Sequence, residues 1–256
     1  MELYFELLKK PVFSMADAEL FYKTKESART AVKRLIAQGL VKKIRNNLYT
    51  CISGETDAPV ANKYQIASAI TETACVSHHT ALEYYGFSDQ VIYDVYVASE
   101  SVFHSFEFDG YTYICVKSKL KDGIETVQYS GGIRITDRER TLIDCLKDMD
   151  RIGGMEETLA AISMMNRLNE KKLLFYLEEY DNQFLFQKAG YLLQPFSKSL
   201  GLSEDFFRAC KAKIGRSRRY LTKDFMQGSY VKEWQLIVPN SLYVLKNGVE
   251  VGNDRV

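Results

Sequence analysis

Apolar residues recur every three or four positions between residues 25 and 38. Ala28, Ala31, Val32, Leu35 and Ile36 share one face, while Glu26, Arg29, Thr30, Lys33 and Arg34 fall away from it. This spacing predicts an amphipathic helix. Thr24 offers a capping hydroxyl at its start, and Gly39 can take the left-handed conformation past its end. Two shorter helical segments, residues 1–9 and 14–21, precede it. Residues 40–51 then read as a small hairpin turning at Asn46-Asn47. Three helices followed by a hairpin is the element order of a winged helix-turn-helix, whose last helix lies in a DNA major groove.

Residues 52–59 are small and polar and end in proline, which predicts a linker. A helix is expected over residues 62–72, with Ile66 and Ile70 facing inward. A short apolar run at 74–76 leads to Ser77, the expected cap of a helix over 78–85 that Gly86 ends. Strand alternation marks residues 91–98. Segments 105–108 and 111–116 flank Asp109-Gly110, and 125–129 and 133–135 flank Gly131-Gly132, two hairpin signals. Thr136 and Glu139 have the spacing of a capping box before a helix that buries Leu142, Ile143, Leu146 and Met149. After Gly153-Gly154, helices are expected over 155–167, 170–180 (capped by Asn169), 182–194 and 203–213, and residues 230–239 and 241–246 are expected to form a terminal strand or to pack on the body. The expected class is α+β. A winged helix-turn-helix domain over residues 1–52 precedes a mixed α/β domain over 60–256, with a small sheet and a C-terminal helical part. The chain length of 256 residues accommodates two domains.

Charge sharpens this division. The first 50 residues hold ten basic and five acidic side chains and so carry +5. With +1 for the whole chain, the remainder carries −4. A hydrophobic fraction of 46% with 26% charged residues is ordinary for a globular protein. The apolar runs are too short for a membrane span, and the N-terminus lacks the basic start of a signal peptide, so a cytoplasmic location without membrane partners is expected. The five cysteines form no Cys-x-x-Cys pair and the three histidines have no ligand cluster around them, so no metal and no cofactor are expected.

The exposed chemistry fits duplex DNA. Lys25, Arg29, Thr30, Lys33 and Arg34 on the third helix, with Lys42, Lys43 and Arg45 on the hairpin, form the candidate DNA-binding set. Arginine reads guanine bidentately, threonine meets the thymine methyl and lysine holds phosphate. Arg216, Arg218 and Arg219 make a second basic patch, suited to phosphate or an acidic partner. Ser77-His78-His79-Thr80 reads as a helix start, because adjacent residues there point apart and cannot build a triad. Arg140 and Asp144 are spaced as a helix ion pair. The one Glu-x-Lys, at Glu170 and Lys172, falls at a helix start, and no phosphate loop is present, so no enzyme activity is expected. Other readings are a basic protein-interaction module, a ligand-sensing winged-helix regulator without a toxin partner, and an enzyme with a DNA-targeting head.

Three pieces in order, the N-terminal winged helix, Ser77-His78-His79-Thr80-Ala81-Leu82-Glu83-Tyr84-Tyr85-Gly86 and Arg134-Ile135-Thr136-Asp137-Arg138-Glu139-Arg140-Thr141-Leu142-Ile143-Asp144, resemble the AbiEi family of abortive-infection antitoxins. Gly153-Gly154 and Lys188-Ala189-Gly190-Tyr191-Leu192-Leu193 extend the resemblance over about residues 1–200. The resemblance implies a type IV antitoxin acting against phage. Such a protein represses its own operon at promoter inverted repeats and counters a nucleotidyltransferase-like toxin, AbiEii. One departure lies in the hairpin. Where the family often has Arg-x-Gly-x-Tyr, this chain has Arg45-Asn46-Asn47-Leu48-Tyr49, and asparagine tolerates the left-handed conformation better than most residues, so the turn can survive.

Overall fold

The computed structural model describes residues 2–223 and 228–240. Contacts divide the chain into two compact units. One comprises Met1–Ala81 with Gln90–Asp137, the other Leu82–Asp89 with Arg138–Val256.

The first unit opens with α1 (Glu2–Leu8), α2 (Met15–Glu19) and α3 (Lys25–Ala37), followed by the antiparallel strands β1 (Val41–Arg45) and β2 (Leu48–Cys51). Their core joins Leu3, Tyr4 and Leu7 of α1 to Phe13, Leu35, Val41 and Cys51. Thr24 caps α3 as expected, its hydroxyl accepting the Ser27 amide at 3.2 Å. The buried stripe of α3 is narrower than its spacing predicts. Ala28, Val32 and Leu35 are buried, but Ile36 is 38% exposed, because it sits on the flank nearest Arg29 and Lys33. Residues 52–59 are not an open linker. Ile52 bridges Pro59 and the Ser53 amide donates to the Ala58 carbonyl at 2.9 Å, so the segment folds back on itself.

The same unit continues through α4 (Lys63–Ala69), β3 (Cys75–Val76), the start of α5 (His78–Tyr85, which passes into the second unit at Leu82), β4 (Asp94–Ser99), β5 (Phe106–Phe108), β6 (Tyr111–Lys117), β7 (Ile124–Thr126) and β8 (Arg134–Thr136). The six strands form one mixed sheet in the order β5-β6-β4-β3-β8-β7, with β4 parallel to β6 and β3 parallel to β8. Asp109 (φ 52°) and Gly110 (φ 78°) are both left-handed, as the predicted two-residue turn demands. Strand β4 begins three residues later than the alternation predicts. Val91 is 74% and Tyr93 63% exposed, so the apolar pattern there does not report burial.

The second unit holds α6 (Arg138–Lys147), α7 (Met155–Met164), α8 (Glu170–Tyr180), α9 (Gln183–Leu193), α10 (Ser197–Leu200) and α11 (Glu204–Lys213). Asn169, Asn182 and Ser203 cap α8, α9 and α11 with side-chain oxygens. Three short strands follow, β9 (Arg219–Tyr220), β10 (Gly228–Val231) and β11 (Leu236–Pro239), ordered β10-β11-β9. The last of the expected segments, residues 241–246, lies outside the described residues. The expected capping box at Thr136 gives way to other partners. Thr136 ends β8 and its hydroxyl donates to the Val76 carbonyl at 3.4 Å, while Glu139 accepts the Asn169 amide at 2.8 Å. The architecture is α+β. Among the described residues no helix is long and apolar enough to cross a membrane.

Candidate nucleic-acid interface

Helix α3 turns its polar residues outward. Lys25, Arg29, Thr30, Lys33 and Arg34 are all exposed. Two of them have acidic neighbours, Arg29 with Glu26 at 3.9 Å and Lys25 with Glu19 at 4.0 Å. Exposed pairs at such distances hold their partners weakly and yield to a phosphate. Lys33, Arg34 and Lys43 form no ion pair among the described residues. The turn before α3 adds an apolar edge at the end of the helix expected over residues 14–21. Leu20 is 82% and Phe21 49% exposed because α2 stops at Glu19.

The start of α2 is firmly built. Ser14 and Asp17 form a reciprocal capping box, and Lys10 pairs with Asp17. Burial raises the Asp17 carboxyl, but the hydrogen bonds from Lys10 and Ser14 outweigh it and hold the group below its ordinary value. Asn47 then explains the departure at the hairpin. It takes the left-handed conformation at φ 57°, and its Oδ1 accepts the Met15 amide at 3.0 Å. A glycine there would supply the turn without the tie to α2.

The three basic hairpin residues separate. Lys43 is exposed and unpaired among the described residues. Lys42 lies 5.1 Å over the Phe108 ring and 4.0 Å from Asp109. Arg45 is a correction to the expected DNA-binding set. Its guanidinium lies 5.4 Å over Phe103 and 5.1 Å over Phe106, and its Nη1 is buried with no hydrogen-bond partner among the described residues. Phe106 stacks in turn on buried Tyr113 at 4.9 Å. Arg45 therefore packs the hairpin against Phe103 and against Phe106 of β5, and its Nη1 is withdrawn from any ligand.

The other motifs are interior. Ser77, His78, His79 and Thr80 are each at most 3% exposed. The Ser77 hydroxyl donates to the Tyr96 carbonyl, and Thr80 Oγ1 accepts the Tyr96 amide at 2.8 Å, so the run fastens α5 to β4. In α6, Arg140 and Asp144 are 0% and 2% exposed, with Nε and Oδ2 3.5 Å apart, and Tyr180 donates its hydroxyl to Asp144. Burial and the Asp144 charge push the Tyr180 hydroxyl well up. Lys188 donates to the Leu146 and Lys147 carbonyls at 3.1 and 3.4 Å, closing the C-terminal end of α6 where a cation is favoured. Burial lowers its pKa. Gly190 faces the Trp234 ring so closely that a Cβ would lie 2.0 Å from Cζ3. Gln187 holds the same segment through the Trp234 carbonyl at 3.1 Å. Burial raises the Cys51 thiol to about 11 and Cys210 to about 12, which keeps both protonated and unreactive. No three His, Cys, Asp or Glu side chains converge on a metal position among the described residues.

The second basic patch lies at the start of the small sheet in the second unit. Arg216, Arg218 and Arg219 are exposed, and Arg218 sits 4.8 Å over the Tyr230 ring.

No protein-family model and no curated protein matches this chain. Among solved structures, the RV2827C protein from Mycobacterium tuberculosis is similar, with a TM-score of 0.63 over 94% of this chain and 90% of that chain at 15% identity. At that identity the likeness speaks for the fold alone.

Proposed function

We propose that this chain is a cytoplasmic DNA-binding autorepressor that also serves as the antitoxin of a nucleotidyltransferase-like toxin. In this reading α2 and α3 are the helix-turn-helix, α3 is the recognition helix and β1–β2 is the wing. The observation that carries it is the sorting of α3, which buries Ala28, Val32 and Leu35 and leaves Lys25, Arg29, Thr30, Lys33 and Arg34 exposed. Arg29, Thr30 and Lys33 are the side chains offered to base edges, and Lys25, Arg34 and Lys43 those offered to phosphates. The antitoxin role rests on the resemblance of residues 77–86, 134–144 and 188–193 to AbiEi proteins. In this reading the chain binds and does not catalyse.

Gel shifts on the promoter DNA of the chain's own operon test the DNA reading. Arg29→Ala and Lys33→Ala each weaken operator binding by about 1–3 kcal/mol. Lys43→Ala weakens all sequences alike and reduces the salt slope by about one unit. Wild-type affinity in all three variants would overturn it. Point variants are the right tool, because residues 1–51 share a compact unit with the six-stranded sheet and cannot be cut away cleanly. For the antitoxin reading, cells co-expressing a nucleotidyltransferase encoded beside this chain should regain growth, and persistent toxicity would refute it.

A further inference from the structure

We infer that the outer face of the β10-β11-β9 sheet is a stacking platform for single-stranded nucleic acid. The strand register carries the argument. Tyr230 of β10 pairs with Ile237 of β11, and Ile237 pairs with Tyr220 of β9, so the three side chains stand in one row across the sheet. Leu236 and Val238, which flank Ile237 along β11, are fully buried. Side chains alternate between faces along a strand, so the row Tyr220-Ile237-Tyr230 points away from that interior. Tyr220 is 62% and Tyr230 41% exposed. Strand spacing of about 4.8 Å sets the two tyrosines about 10 Å apart, which suits two unstacked bases.

Charge chooses the ligand. From residue 206 to residue 223 the chain has seven basic side chains and no acidic one. Arg208, Lys211 and Lys213 are engaged with Asp205, Glu233 and Glu178. Arg216, Arg218, Arg219 and Lys223 are exposed and form no ion pair among the described residues. Arg218 lies against the Tyr230 ring, so one end of the aromatic row is itself cationic. An apolar partner would desolvate these cations without compensation. A duplex offers phosphates but keeps its base faces stacked. A single strand offers phosphate and open π faces together, the pairing that sequence-tolerant single-strand binders use. The site shares no residue with α3, so it stands or falls independently of the duplex reading.

Fluorescence anisotropy of the full chain with labelled single strands of about 12 nucleotides, RNA and DNA, and with the matching duplex tests this. The expected result is binding of a single strand that Tyr220→Ala weakens about tenfold or more and Tyr220→Phe restores. Arg216→Gln with Arg219→Gln should lower affinity and flatten its salt dependence. The loss caused by Tyr220→Ala should be the same in an Arg29→Ala background, which separates this site from the proposed operator contact. RNA or DNA binding supports the platform, and the tighter of the two names the source. Equal or tighter binding of the duplex through these residues would overturn it. So would wild-type affinity in Tyr220→Ala, or preferential binding of polyglutamate, which would mark the face as one for an acidic protein. Should Tyr220→Ala misfold by circular dichroism, Tyr220→Leu, which keeps apolar bulk without a π face, takes its place with the same expected loss.

Discussion

Helix α3 carries five charged residues in 13 and exposes all of them, whereas α6 carries five in 10 and buries Glu139, Arg140 and Asp144. Charge density therefore does not distinguish a surface helix from an interior one. The difference lies in where the partners are. Every charge buried in α6 is answered within its own unit: Arg140 and Asp144 by each other, Asp144 also by Tyr180, and Glu139 by the Asn169 amide. The cations of α3 have carboxylates at about 4 Å or none, which leaves them available to an anionic ligand. A buried charge demands local satisfaction, and an exposed one is satisfied by water until something better arrives.

The sharpest way to break this contrast is to truncate one arginine in each helix. Arg140→Ala leaves the Asp144 carboxylate buried without its cation, and a loss of about 3–5 kcal/mol is expected in urea unfolding. Arg29→Ala removes a side chain already in water, and stability should stay within about 0.5 kcal/mol. Equal losses in the two variants would show that the helices are not differently disposed.

The next effect tests whether α9 is as tightly filled as its burial implies. Gly190→Ala places a methyl group against a fully buried indole, and overpacking of this kind costs about 1–3 kcal/mol. Trp234 is the sole tryptophan of the chain, so its emission reports the event directly. A red-shifted spectrum is expected as the ring loosens from α9. An unchanged spectrum and melting midpoint would mean that the indole relocates freely.

These positions also mark what was legible in advance. Periodicity located α3, and the caps Thr24 and Asn169 located the starts of α3 and α8, because they act on their own neighbours, while Asn182 and Ser203, expected as first helical residues, cap α9 and α11. Pairings across the chain were not legible. Thr136 ends a strand and bonds the Val76 carbonyl, Glu139 turns to Asn169, and capping boxes form instead at Ser14 with Asp17 and at Asn62 with Gln65. Arg45 looked like its neighbour Lys43, and only the fold brings Phe103 and Phe106 beneath it. Within the candidate site the exposure of Lys25, Arg29, Thr30, Lys33 and Arg34 followed from helical spacing alone. The exposure of Leu20 did not, because it depends on where a five-residue helix stops.

Arg45 and Lys43 repeat the α3–α6 contrast within one hairpin, two residues apart. Arg45→Ala empties the space over two aromatic rings, and about 0.5–2 kcal/mol of stability should go with it. Lys43→Ala should alter stability by no more than about 0.5 kcal/mol. Thermal unfolding of the two variants, run beside the salt dependence of DNA binding, separates the roles. A salt slope that falls in Arg45→Ala with no change in melting midpoint would return Arg45 to the DNA-binding set.

Asp17 lies between the extremes, half-buried at the start of α2, and gives the smallest effect. Its folded-state pKa lies below the ordinary 3.8 because the hydrogen bonds from Lys10 and Ser14 overcome burial. A carboxyl depressed in this way contributes stability that is complete above 3.8 and fades as pH falls through the folded value. Asp17→Asn keeps an oxygen to accept the Ser14 amide but removes the attraction to Lys10. The variant should be slightly less stable than the wild type at neutral pH, with the gap closing as urea midpoints are taken below 3.8. Added salt should narrow the gap at neutral pH, since Lys10 is 57% exposed and the pair is screened. A gap that persists unchanged into acid would assign the effect to the shape of the capping box, and Asp17 would then belong with the structural charges of α6.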